Sequence, residues 1–264
     1  MTRCAAALLA AVLALAGCDD SKPAPKPAAA PAPEKPVSTR PLTPSWPATA
    51  SAKSDQASVS GDLLFARNYY VVLDASGSMT EKGCSGDLPK IDAARNALAA
   101  FAESLPADAN LGLQVFDARG VREQIPLAAG NRAKFKSVLS TVRAGGGTPL
   151  QTAISQAYAR LEQQGARQLG YGEYHLVVVT DGEASDGQDP TNAVKAILDR
   201  SPIVLHTIGF CIGPKHSLNQ PGRTIYRAAD NPQQLREHLS DVLAEAPAFS
   251  VTGFKSGGAL LAFP

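Results

Sequence analysis

The sequence predicts an α/β fold, a doubly wound and mostly parallel sheet flanked by helices. Short runs of branched and aromatic residues, YYVVL from Tyr69 and LVVV from Leu176, read as strands buried on both faces. Between such runs lie longer stretches whose apolar residues recur three and four apart, as one helix face requires. The polar, glycine-rich segments follow directly after apolar runs, at the strand ends where open α/β sheets place their ligands.

Tyr69–Leu73 is the first strand expected. A helix over Lys90–Leu105 follows, with Ile91, Ala94, Leu98, Phe101 and Leu105 on one face. Leu111–Phe116 is the second strand and Glu123–Leu127 a short third. Arg132–Val142 is helical through Phe135, Val138, Leu139 and Val142. After GGGTPL comes a helix whose face is Leu150, Ile154, Ala157, Tyr158 and Leu161. Leu176–Val179 is a strand ending in TDGE, Pro190–Asp199 a helix, Ile203–Ile208 a strand and Thr224–Ala228 the last strand. Asn231-Pro232 supplies a capping side chain and a proline for a final helix to Ala246. Alternation of strands with helices of ten or more residues is what specifies the parallel sheet.

The ends read differently. MTRCAAALLAAVLALAGC carries one cation, Arg3, then an apolar run from Ala5 to Ala16 that is short for a membrane span and suits a secretory signal. Leu15-Ala16-Gly17-Cys18 resembles the lipobox of bacterial lipoproteins, which implies a cut before Cys18 and a lipid on it; a signal cut near Ala16 is the plainer alternative. Asp19 and Asp20 resemble the enterobacterial signal for retention in the inner membrane, favouring a lipid-anchored protein on its periplasmic face. Ser21 to about Ser60 is rich in Pro, Ala, Ser and Lys, a composition for an extended tether rather than a core. Some 40 residues of polyproline-like chain reach on the order of 100 Å. Trp46 within it reads as incidental, a contact point being the alternative. The expected organisation is a signal over 1–17, an anchor and tether over 18–60, the folded domain over 61–247 and an extension over 248–264, where Phe249 and Val251 suggest a short strand.

Removing residues 1–17 removes only Arg3 from 25 basic residues, leaving 24 against 24 acidic ones. A near-neutral chain gives no sign of a nucleic-acid groove. Of four cysteines, Cys84 and Cys211 stand outside the signal and the lipobox. Both lie in loops expected on the ligand edge, and in an oxidising compartment they are candidates for a disulfide, two independent thiols being the alternative. A zinc site with His206 or His216 lacks ligand spacing.

Three segments converge on the ligand edge: Asp74-Ala75-Ser76-Gly77-Ser78 after the first strand, Thr148 after three glycines, and Asp181 after LVVVT. Two carboxylates and three hydroxyls are hard oxygen donors, an inventory suited to Mg²⁺, or Mn²⁺, in octahedral coordination. Each piece also has a plainer role: Thr148 as a helix cap, the serines as turn residues, Asp181-Gly182 as a turn pair. Taken together, DxSxS, the threonine in a glycine-rich loop and TDG, in this order, resemble the von Willebrand factor A family over about Asp62 to Ala246. The resemblance implies that Asp74, Ser76, Ser78, Thr148 and Asp181 form a metal ion-dependent adhesion site. It also implies that the ion's remaining position accepts a carboxylate from a partner protein.

Other chemistries fit less well. In DGEASDGQD, Asp186 stands where an EF-hand needs glycine and Asn192 where it needs glutamate. GxxxxGK[ST], GxGxxG and GxSxG are all missing. His175, His206 and His238 fall in strand or helix contexts and read as structural, whereas His216 reads as solvated. Glu183, Asp186 and Asp189 rim the expected site. The sequence thus favours a non-enzymatic, lipid-anchored binding protein for an acidic partner. The alternatives are an assembly accessory of an envelope complex acting independently of the metal and a metal-dependent hydrolase with Glu183 or Asp186 as base.

Overall fold

The computed structural model describes residues 46–47 and 61–244. The signal, the lipidation at Cys18, the tether apart from Trp46 and Pro47, and the C-terminal extension lie outside the described residues. The elements run α1 (Gly61–Leu64), β1 (Arg67–Asp74), α2 (Lys90–Ser104), β2 (Asn110–Asp117), β3 (Gly120–Ala128), α3 (Arg132–Thr141), α4 (Leu150–Arg167) and β4 (Glu173–Thr180). They continue with α5 (Pro190–Arg200), β5 (Val204–Phe210), β6 (Ile225–Ala229) and α6 (Pro232–Ala244). Two short 3₁₀ turns, Gly77–Thr80 and Gly83–Ser85, fill the connection from β1 to α2.

The six strands lie in the order β3-β2-β1-β4-β5-β6, every pair parallel except the β2–β3 hairpin. Strand order therefore reverses beside β1, which pairs with β2 on one side and β4 on the other. That crevice is the switch point where doubly wound sheets bind ligands.

Successive residues of β1 feed opposite layers. Tyr69, Val71 and Leu73 pack with residues of α2, α3 and α6, among them Leu98, Phe101, Phe135 and Leu239. Tyr70 and Val72 pack with Leu150, Ile154 and Leu161 of α4 and with Val194 and Ile197 of α5. All five of these strand residues are fully buried. At about 1.5–3 kcal/mol per buried aliphatic side chain, these two layers hold the site's floor rigid.

Helix ends follow local chemistry. Asp189 caps α5 by accepting the amides of Thr191 and Asn192. Asn231 Oδ1 accepts the Gln234 amide at 2.9 Å, so the expected start of α6 is formed.

Trp46 differs from its expected place in a free tether. Its ring meets Tyr174 edge-on with centroids 4.6 Å apart. It fills a notch over Gly165 of α4, where a Cβ would come within 2.2 Å of the indole. The ring is half-buried by contacts more than a hundred residues away, which local composition does not show.

Candidate functional site

β1 and β4 end side by side at the switch point and deliver Asp74 and Asp181 to the same crevice. Asp74 is fully buried; its Oδ1 accepts the Ser76 amide at 2.7 Å and its Oδ2 accepts the Thr180 hydroxyl at 2.6 Å. Ser78 Oγ donates to Asp181 Oδ1 at 2.7 Å, and the Ser76 and Ser78 hydroxyls lie 3.1 Å apart. The structure thus joins four of the five expected residues in one hydrogen-bonded set. Neither serine is occupied with a helix end: Ser76 precedes the first 3₁₀ turn without a side-chain capping bond.

Thr148 reaches the same edge through its loop. The Gly77 amide donates to Gly146 O and the Gly145 amide to Ala75 O, lacing the glycine loop to the Asp74–Ser78 segment. Gly146 has φ +88° and passes so close to the β2–β3 turn that a Cβ would stand 2.8 Å from Ala118 Cα. Only glycine suits that backbone. The Thr148 amide donates to Ser185 Oγ at 2.8 Å and its carbonyl accepts the Ser185 amide at 3.0 Å. Pro149, not Thr148, is the residue bordering α4, and the first-turn amide of Thr152 is accepted by Gln188 Oε1 at 3.0 Å. The plainer role for Thr148 as the cap of α4 is not the one it plays.

Burial pushes the Asp74 carboxyl up to about 6 despite the hydrogen bonds from Ser76 and Thr180, and the neighbouring Asp181 charge adds to the rise. A site with this bias gains from positive charge. One cation already stands there. Lys90, the first residue of α2, places Nζ 2.9 Å from Asp181 Oδ2 and 3.4 Å from Glu81 Oε2, with its side chain only 8% exposed. Burial opposes its charge, but the Asp181 and Glu81 carboxylates outweigh that and raise its pKa.

Lys90 and Thr180 are the residues that sequence reasoning missed. Periodicity placed Lys90 only at a helix start. The signal available was that a cation there opposes the helix dipole and so needs a carboxylate partner. Thr180 was visible as the residue before Asp181-Gly182, but its bond to Asp74 depends on the β1–β4 pairing.

The rim is braced as expected. Cys84 and Cys211 form a disulfide with Cα atoms 5.6 Å apart, inside the normal range. His216, expected in solvent, is instead 8% exposed. Its Nε2 lies 2.9 Å from Gly182 O, its Nδ1 accepts the Leu218 amide and its ring stacks on Tyr226. Glu183 accepts the amide and hydroxyl of Ser217, tying the loop after β4 to the loop after β5. Asp189 is used in capping α5. Among the described residues no group of three or more His, Cys, Asp and Glu is placed to hold a metal ion, so any ion at this edge relies on the hydroxyls.

A family model for the von Willebrand factor type A domain matches residues 68–258. The chain belongs to that family. Among its relatives, YwmC of Bacillus subtilis (strain 168) is 29% identical over 156 residues, which are 54% of this chain and 66% of the relative. The chain thus spans just under two thirds of that relative's length. BatB from Bacteroides thetaiotaomicron is 18% identical with a TM-score of 0.52, covering 67% of this chain and 98% of that one. Proximal thread matrix protein 1 from the mussel byssus, solved with a zinc-occupied MIDAS motif, is 17% identical with a TM-score of 0.54, covering 68% and 47%. At these identities the solved structures establish the von Willebrand factor A fold.

The donor set fits a hard divalent ion. Asp74, Ser76, Ser78 and Asp181 present oxygen alone, two of them as carboxylates, and the hydroxyls add donors without adding charge.

Proposed function

We propose that this chain is a membrane-anchored binding protein that captures a protein partner through a divalent ion, Mg²⁺ or Mn²⁺, without catalysis. The observation that carries this reading is the hydrogen-bonded oxygen cluster of Asp74, Ser76, Ser78 and Asp181 at the switch point. Ser76, Ser78, Thr148 and the two aspartates would hold the ion, and a bound ion would supply a Lewis-acidic position for a partner's carboxylate. Asp74 is held by Ser76 and Thr180, Asp181 by Ser78 and Lys90, so both carboxylates are oriented in advance. The serine hydroxyls bond to each other and, through Ser78, to the Asp181 carboxylate, which is itself paired with Lys90, an arrangement that favours ligation over nucleophilic attack.

The lipid at Cys18 and the periplasmic face of the inner membrane belong to the same reading, supported by the lipobox-like Leu15-Ala16-Gly17-Cys18 and by Asp19. Among the described residues no helix is long and apolar enough to cross a membrane.

The test is affinity capture from envelope extract by the full chain, in Mg²⁺ and in chelator, beside an Asp181→Ala bait. A protein retained by the wild type only with Mg²⁺, and not by the variant, is the expected result. Retention indifferent to both ion and variant would move the function to another surface.

A further inference from the structure

The unusual feature of the site is the buried ammonium. Lys90 Nζ lies between Asp181 and Glu81, and its place is built rather than incidental. The Lys90 amide donates to Glu81 O at 2.8 Å, fixing the base of the side chain. Gly83, at φ +48°, lies over the stem so closely that a Cβ would stand 2.9 Å from Lys90 Cε, and it would be 3.8 Å from Cys211 Sγ. Gly83 adjoins Cys84, so the disulfide holds the wall that confines the lysine. Asp181 divides its oxygens, Oδ1 to Ser78 and Oδ2 to Lys90.

We propose that Lys90 is a resident counter-cation that weakens divalent-ion binding and leaves the ion-loaded site net positive, so that it takes an anionic ligand. This rests on the metal-binding reading above. Charge bookkeeping shows why. Asp74 and Asp181 together carry two negative charges; Lys90 leaves one uncompensated. A divalent ion then overshoots to one positive charge, and a single carboxylate restores neutrality. Without Lys90 the two aspartates would neutralise the ion alone, retaining it more tightly and attracting an acidic partner less. In a crevice shielded from water, one unit charge close to the ion changes affinity strongly. Glu81, with its side chain 69% exposed, is screened by solvent and offsets this only weakly.

The experiment is a Mn²⁺ titration of the full chain followed by the electron paramagnetic resonance signal of free Mn²⁺, with and without acetate. Lys90→Met is expected to bind Mn²⁺ at least about tenfold more tightly than wild type, while Lys90→Arg, which keeps the charge, stays close to wild type. Acetate is expected to tighten Mn²⁺ binding in wild type and to do so less in Lys90→Met. Should Lys90→Met fail to fold, Lys90→Gln is read in the same way, since it keeps a donor to Asp181. Unchanged or weaker binding in the neutral variants, with binding still abolished by Asp74→Ala, overturns the role of Lys90 and leaves the metal site standing. No Mn²⁺ binding by wild type or any variant overturns the metal-binding reading itself, and this proposal with it.

Discussion

At the amino end of β1, Asn68 is fully buried, and its Nδ2 lies 2.8–3.0 Å from Ala66 O, Gln168 Oε1 and Glu173 O. Its Oδ1 accepts from Asn110 Nδ2, and Gln168 Nε2 in turn donates to Leu63 O and Ala66 O. Six residues on, at the carboxyl end of the same strand, Asp74 is equally buried. Its surroundings, however, hold two carboxylates and three hydroxyls, those of Ser76, Ser78 and Thr180, against one ammonium. The first network contains as many donors as it needs and closes on itself. In the second, every carboxylate oxygen has a donor, from Ser76, Thr180, Ser78 and Lys90, but two negative charges face one ammonium. Burial of polar groups alone therefore does not mark a site in this fold; buried charge left uncompensated does.

Four experiments bear on that contrast. The largest effect is expected from removing the disulfide by replacing Cys84 and Cys211 with serine. The bond spans 127 residues, and its loss should cost about 4 kcal/mol in denaturant unfolding. Because it braces the wall over Lys90, divalent-ion affinity should change as well, which damage at the amino end should not cause. Asn68→Ala comes next: stranding Gln168, Asn110 and Glu173 should cost about 3 kcal/mol with ion binding intact. Loss of ion binding in that variant would mean the two ends are coupled.

Asp74→Asn should act in the opposite sense. With chelator at pH 8 the variant should be the more stable by about 3 kcal/mol, since the wild type holds an ionised carboxylate whose pKa burial has raised to about 6. An amide can still accept from Ser76 and donate to Thr180, whose hydroxyl already lies 3.0 Å from Gly182 O. The sign follows from linkage: the folded state binds the Asp74 proton more tightly than the unfolded chain, so wild-type stability falls as pH rises through about 4 to 6. His206 works against it. Burial beside His175, with the Arg227 charge adding, lowers its pKa to about 4, so its contribution is lost as pH falls from about 6.5 toward 4. Unfolding across that range should therefore be flatter for wild type than for Asp74→Asn, whose stability should rise by about 3 kcal/mol from pH 4 to 6.5.

The smallest effect concerns Trp46, the single tryptophan of the chain. Gly165→Ala improves helix propensity by about 1 kcal/mol but intrudes on the indole, so stability should change little. Tryptophan emission should shift to the red as the ring is displaced. An unshifted spectrum would place Trp46 outside the notch.

Much of the fold was legible because hydrophobic runs and helical spacing are local. YYVVL and LVVV are the centres of β1 and β4, and Leu98, Phe101, Ile154 and Leu161 lie in the core as their spacing requires. Strand ends were less legible. β4 begins at Glu173 rather than Leu176, since Glu173, Tyr174 and His175 pair with Arg67, Asn68 and Tyr69 of β1. Tyr174 also meets Trp46, while His175 lies against Tyr69 and His206. At the site, the oxygen donors stood out by type and order. Lys90 did not, because its partner Asp181 is 91 residues away and meets it only once β1 and β4 pair. His216 was misread for the same reason, its place being set by Gly182, Leu218 and Tyr226 rather than by its own loop.

The most direct measurement is the Mg²⁺-induced change in melting temperature of wild type, Asn68→Ala and Asp74→Asn, each against chelator. An ion that binds the folded state raises its stability by mass action. An upward shift is expected for wild type and Asn68→Ala and none for Asp74→Asn. A shift that survives in Asp74→Asn, or is missing from wild type, would contradict the assignment of the oxygen-rich edge as the ion site.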